Sequence, residues 1–75
     1  MKAYILITVA PGTEKKIKEE LKELPQIKEV DIVYGTYDLI AIAEVEGIGE
    51  LHELVLDTIR QKKEVERTVT LVVAG

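Results

Sequence analysis

The chain has 75 residues, no cysteine, no serine, a single histidine and a formal net charge of −4. Such a length allows one small domain, residues 1–75, and the composition excludes disulfides, thiolate metal sites, a cysteine nucleophile and a serine triad. The negative charge argues against a nucleic-acid surface, and no apolar run is long enough to predict a membrane span.

The first half of the chain predicts a strand, a helix and a second strand. Residues 3–10 are β-branched and apolar at both alternating sets of positions, and Pro11-Gly12 ends this strand. Residues 14–24 carry one apolar stripe with helical spacing on an otherwise charged surface, and Pro25 ends this helix. Residues 27–34 alternate again and predict the second strand.

The second half predicts the same three elements after a tight turn at Gly35-Thr36. Residues 37–45 form an apolar strand, residues 50–62 an amphipathic helix and residues 64–73 the last strand. The halves repeat weakly at an offset of 35 residues, so that Ile5 matches Ile40. We therefore expect an α+β, ferredoxin-like βαββαβ fold, with a four-stranded antiparallel sheet and both helices on one face.

The strands are apolar on both sides, although helices cover only one face of such a sheet. A large uncovered apolar face marks an interface, and we expect it to bury in a homodimer. The residues assigned to it are Tyr4, Leu6, Thr8, Val33, Leu39, Ala41, Ala43, Thr68, Thr70 and Val72. We expect Tyr4, Leu6, Thr8, Leu39, Ala41 and Ala43 to make the dimer contacts, with the two alanines allowing close approach of a second sheet.

The segment from Tyr34 to Leu39 carries the main candidate site. Gly35 can take a positive φ, and the side chains of Thr36, Tyr37 and Asp38 then converge at one end of the sheet. A carboxylate accepts an ammonium group, and free backbone N–H groups hold a carboxylate, which suits a zwitterion such as an amino acid. The alternative is a hairpin turn in which Asp38 accepts hydrogen bonds from its own backbone.

No catalytic or metal-binding constellation is predicted. His52 lies beside the apolar stripe of the second helix, and Gly47-x-Gly49 lacks the remainder of a phosphate-binding motif. We therefore predict no enzyme, no cofactor and no metal. A small dimeric ferredoxin-like enzyme that uses His52 is the less favoured alternative.

The whole chain resembles the C-terminal effector domain, or RAM domain, of the Lrp/AsnC regulators. The resemblance lies in five segments, read along the chain as AYILITVAPGTE (3–14), KEV (28–30), GTYDLIAIAEV (35–45), ELHELVLDTIR (50–60) and VERTVTLVV (65–73). It implies dimers that pair sheet against sheet, rings such as octamers or decamers, and amino acids bound at interfaces between dimers. It also implies ligand contacts from Gly35, Thr36, Tyr37, Asp38, Thr68 and Thr70.

Full Lrp/AsnC regulators carry an N-terminal helix-turn-helix, whereas this sequence starts at its first strand. We therefore expect a stand-alone, cytoplasmic amino-acid sensor that makes no direct contact with nucleic acid or membrane and can join a full-length regulator in a mixed assembly. The lack of asparagine and the eleven glutamates are typical of a thermophile. An ACT-like regulatory domain is the second candidate, and it would contact its ligand at Gly12 rather than around Asp38.

Overall fold

Four strands and two helices follow one another in the predicted order, in a computed structural model that describes residues 1–75. The elements are β1 (Lys2–Val9), α1 (Glu14–Lys22), β2 (Ile27–Ile32), β3 (Leu39–Glu44), α2 (Ile48–His52) with a contiguous π-helical segment (Glu53–Ile59), and β4 (Val65–Val72). The second helix begins two residues and ends three residues before its predicted bounds, and residues 33–38 form a loop instead of extending β2 and β3.

The strands form one sheet in the order β2-β3-β1-β4, and every neighbouring pair is antiparallel. This topology confirms the predicted ferredoxin-like fold. The two central strands are β3 and β1, while β2 and β4 lie at the edges. Neither helix is both long and apolar enough to span a bilayer.

A single apolar core lies between the sheet and the two helices. It contains 16 buried residues, all hydrophobic, so no buried polar side chain needs a partner. Alternate residues of β1, from Ala3 to Val9, face this core, as the period of a strand requires. The helices contribute Ile17, Leu21, Leu51, Leu54, Val55 and Ile59.

The prediction that Leu39, Ala41 and Ala43 lie on the uncovered face is wrong. All three are fully buried in the core. Leu39 pairs with Ile7 and Ala41 with Ile5, and directly paired residues share a face of the sheet. Because residues 39–43 are apolar throughout, their alternation does not indicate which set faces the helices. Ala41 and Ala43 are small where helices, not a second sheet, pack against them.

The uncovered face consists instead of the other set of paired side chains. Its apolar members are Tyr4, Leu6, Ile40, Ile42, Val69 and Leu71, and the register places Thr8 beside them. Thr68, Thr70 and Val72 were predicted on this face, but they pair with Ile7, Ile5 and Ala3 and therefore lie on the helix side. Val33 lies in the loop, outside the sheet. Hereafter the six apolar residues are called the outer face.

A chain of ion pairs joins α1 to the segment before β4. The Lys16 ammonium donates a hydrogen bond to the Glu64 carboxylate, and its Nζ lies 4.0 Å from Oε2 of Glu20. Oε1 of Glu20 in turn accepts a hydrogen bond of 2.8 Å from the Lys62 ammonium. The hydrogen bond from Lys16 lowers the pKa of the Glu64 carboxyl below its ordinary value of 4.5. The same bond raises the pKa of Lys16 above its ordinary value of 10.5.

These shifts predict how stability depends on pH. Glu64 contributes fully to the free energy of unfolding above pH 4.5, and this contribution is lost as the pH falls through its lowered pKa. Lys16 contributes fully below pH 10.5, and its contribution is lost as the pH rises through its raised pKa. We expect wild type and Glu64→Gln to differ in thermal midpoint at pH 7 and to converge below pH 4.5. Calorimetric melts across this range measure the gap, and Glu66→Gln, which removes no ion pair, is the control. A gap that does not change with pH would contradict the prediction.

Candidate functional site

The loop at residues 33–38 is held against the end of β1 by backbone hydrogen bonds. The N–H of Asp38 donates to Ile7 O at 2.9 Å, and the N–H of Val33 donates to Asp38 O at 2.9 Å. These bonds close the base of the loop. Its tip turns at Gly35, whose φ of +133° favours glycine, and Tyr34 projects there fully exposed to solvent.

The Asp38 carboxylate is fixed by a neighbouring strand. Its Oδ2 accepts a hydrogen bond of 2.8 Å from the N–H of Val9 in β1. The Asp38 carboxylate therefore accepts no hydrogen bond from the backbone of its own loop, which the hairpin-turn alternative required. The second oxygen accepts no hydrogen bond from the protein and is not fully buried, since no buried side-chain polar atom lacks a partner. One oxygen thus holds the side chain in place while the other is available to a ligand.

An open cleft of about 490 Å³ lies beside this carboxylate, between the loop, the end of β2 and the start of α1. We call it the Asp38 cleft, and its lining residues are Gly12, Glu14, Lys15, Ile32, Val33, Tyr34, Gly35 and Asp38. The set combines two carboxylates, one ammonium group and three apolar or aromatic side chains. Such a lining can pair both charges of a zwitterion and contact an apolar substituent.

The cleft brings together the two regions, around Asp38 and at Gly12, that sequence analysis gave as alternative places of ligand contact. Gly12, with a φ of +89°, and Asp38 line the same space, so a contact at one does not exclude a contact at the other. Sequence analysis did not assign four of the lining residues, Glu14, Lys15, Ile32 and Val33, to the candidate site. The Pro11-Gly12 junction pointed to this region, but only the fold shows that the start of α1 faces the loop.

The structure divides the predicted site residues into separate places. Gly35 and Asp38 line the Asp38 cleft, whereas Thr36 is exposed and Tyr37 lies with its ring 6.0 Å from the Arg67 guanidinium. Thr68 and Thr70 line a different groove, between β4 and the second helix. The six residues therefore do not form one pocket within a single chain.

His52 is exposed on the second helix and lies in that second groove, where no lining residue is acidic. The groove therefore offers the imidazole no carboxylate partner. No group of three or more His, Cys, Asp or Glu side chains is placed to hold a metal ion.

Sequence comparison identifies the family of this chain. The model of the Lrp/AsnC ligand binding domain matches residues 2–74. An uncharacterised HTH-type transcriptional regulator of Pyrococcus furiosus is 32% identical over 73 residues, which cover 93% of this chain and 49% of that protein. The chain thus spans about half the length of the curated relatives that it matches first.

Two solved structures are similar in fold. The crystal structure of FFRP-DM1 has a TM-score of 0.93 and 35% identity, over 96% of each chain. The transcriptional regulator NMB0573 of Neisseria meningitidis, solved as a complex with L-Met, has a TM-score of 0.89 over 99% of this chain and 49% of that one; at 16% identity the likeness is one of fold. With the match to residues 2–74 and these likenesses, the chain belongs to the Lrp/AsnC ligand-binding domain family.

Proposed function

We propose that this domain binds a free amino acid in the Asp38 cleft and assembles with further copies through the outer face. The observation that carries the proposal is the Asp38 carboxylate, which lines the cleft with one oxygen fixed on Val9 N–H and the other without a hydrogen-bond partner in the protein. A fixed carboxylate pays little conformational entropy when it accepts a ligand's ammonium group, so it is suited to recognition.

The remaining lining residues match the other parts of an amino acid. The open Asp38 oxygen and Glu14 accept hydrogen bonds from the ammonium group, and the Lys15 ammonium pairs the carboxylate. Ile32 and Val33 provide apolar contact for the side chain. This pairing favours a zwitterion over a simple cation or anion, because either would leave one charged group of the cleft without a partner.

Two comparisons support this ligand class. The family is defined as a ligand-binding domain, and one protein of the same fold was solved with L-Met bound. Gly12 lines the same cleft, so an ACT-like mode would contact the same ligand class; the family match favours the Lrp/AsnC type. The enzyme alternative gains no support, because His52 lies outside the cleft.

Self-association follows from the outer face. Its six apolar side chains form adjacent cross-strand pairs, such as Leu6 with Ile40 and Tyr4 with Ile42, on a face without helices. Sheet-against-sheet packing of two copies would bury them. Dimers of this kind would then form a ring, an octamer or decamer, or join a full-length Lrp/AsnC regulator, so that a bound amino acid alters the assembly.

Asp38→Asn is expected to weaken amino-acid binding at least tenfold while the fold persists. The amide oxygen still accepts the Val9 hydrogen bond, but the negative charge that pairs the ammonium group is gone. Asp38→Ala removes both and is expected to cost about 1–3 kcal/mol of stability as well. Isothermal titration with the amino acid selected from a pool, together with thermal melts, separates the two effects.

Asp57→Asn is the matched control, because Asp57 is exposed on the second helix outside the cleft. It should bind like wild type. Equal affinity of Asp38→Asn and wild type would refute the assigned ammonium contact, and a wild-type protein that binds no amino acid would refute the proposed function.

A further inference from the structure

A second groove runs between β4 and the second helix, with a volume of about 330 Å³. Five apolar side chains line it: Ile48, Leu51, Val55, Leu56 and Val72. Ile48, Leu56 and Val72 are exposed to solvent, although they are large and hydrophobic. The groove therefore offers apolar surface within the usual size range of small-molecule sites.

None of the polar residues that line this groove is acidic. Arg60 makes no ion pair and its side chain makes no hydrogen bond within the chain, and the hydroxyls of Thr68 and Thr70 likewise lack intramolecular partners. His52 adds two ring nitrogens, and no lining residue carries a carboxylate. The groove thus presents an unpaired cation and free hydroxyls, and it has no anion of its own.

These groups are distributed unevenly along the groove. A short connection at residues 60–64 joins the helix to β4, and the two run in opposite directions, so Arg60 lies near Thr68 at one end and Ile48 near Val72 at the other. Thr68 and Val72 are about 13 Å apart along the strand. The π-helical bond from Arg60 N–H to Val55 O, 2.8 Å long, positions Arg60 at the polar end. Such helical irregularities are frequent at functional sites.

We propose that this groove binds an aliphatic carboxylate that carries no ammonium group. The carboxylate would pair with Arg60 and accept a hydrogen bond from the Thr68 hydroxyl, and the hydrocarbon chain would lie toward Ile48 and Val72. A free amino acid fits less well, because no lining side chain carries the negative charge that would pair its ammonium group, and that group would lose water next to the Arg60 cation. The site is separate from the Asp38 cleft and does not depend on the proposed function.

Octanoate is the probe, since its chain suits a groove of this length, and octan-1-ol is the uncharged comparison. Titration of the 15N-labelled full chain should shift the amide signals of Thr68, Thr70 and Val72. Arg60→Gln is expected to weaken octanoate binding about tenfold and to leave octan-1-ol binding unchanged. Arg67→Gln is the matched control, because Arg67 pairs with Thr8 on the opposite face of β4, and it should bind octanoate like wild type.

Three results would overturn the proposal: no octanoate binding, equal binding by wild type and Arg60→Gln, or signal shifts confined to outer-face residues such as Leu6 and Ile40. The two sites are told apart by Lys15→Gln, which removes the only cation that lines the Asp38 cleft and should leave octanoate binding unchanged. Loss of octanoate binding in Lys15→Gln but not in Arg60→Gln would place the carboxylate in the Asp38 cleft and would also refute the proposal.

Discussion

Ala41→Glu is expected to abolish the folded domain. Ala41 is fully buried in the central strand β3, paired with the buried Ile5 on one side and Val30 on the other. A glutamate there would place an unpaired charge and the four additional heavy atoms of its side chain in a closed apolar core. An uncompensated buried charge costs several kcal/mol, which approaches the whole stability expected of a domain of this size.

Far-UV circular dichroism and one-dimensional NMR measure this result directly. The Ala41→Glu protein should lack a cooperative thermal transition and dispersed amide signals. A wild-type melt for this variant would mean that Ala41 faces solvent, which would contradict the register of β1 and β3 on which the position of the core depends.

Leu6→Glu is expected to dissociate the assembly and leave the domain folded. Leu6 lies one residue from the buried Ile5 but on the outer face, opposite Ile40 and Val69. A charge buried in a packed interface costs about 3–5 kcal/mol, so the dimer dissociation constant should rise more than hundredfold. Light scattering after size-exclusion chromatography measures the mass, and circular dichroism reports the fold.

Leu56→Glu is the matched control, because it introduces the same change at an exposed leucine on the second helix, away from the outer face. It should keep the wild-type mass. If Leu6→Glu keeps the wild-type mass instead, the outer face is not the interface, and another surface holds the copies together.

The order of the elements could be predicted because each carries a local pattern. The helical stripe of Ile17 and Leu21 and the breaks at Pro25 and Gly35 act within a few residues of chain. No local pattern indicates which face of β1 points toward the core. The inward face of β3 was predicted wrongly, because Ile40 and Ala41 are both apolar residues that are often buried. Pairing with Ile5 decides it, and that contact spans 36 residues of sequence.

The candidate site, like the fold, could be predicted only where a local sequence pattern marks it. Asp38 was predicted as a ligand contact from its turn, but its bond to Val9 joins residues 29 positions apart, and no local pattern indicates it. Lys15 enters the cleft because α1 starts beside the loop in the folded chain. Thr68 and Thr70 were assigned to the same site by resemblance, and the register of β4 places them in the other groove.

Native mass spectrometry of the full chain, alone and with a pool of amino acids, tests the central claim most directly. We expect an even-numbered assembly that gains the mass of an amino acid on each chain, and we expect Asp38→Asn to keep the assembly but lose the added mass. A monomer that gains no mass from any amino acid would contradict both the binding site and the interface proposed for this domain.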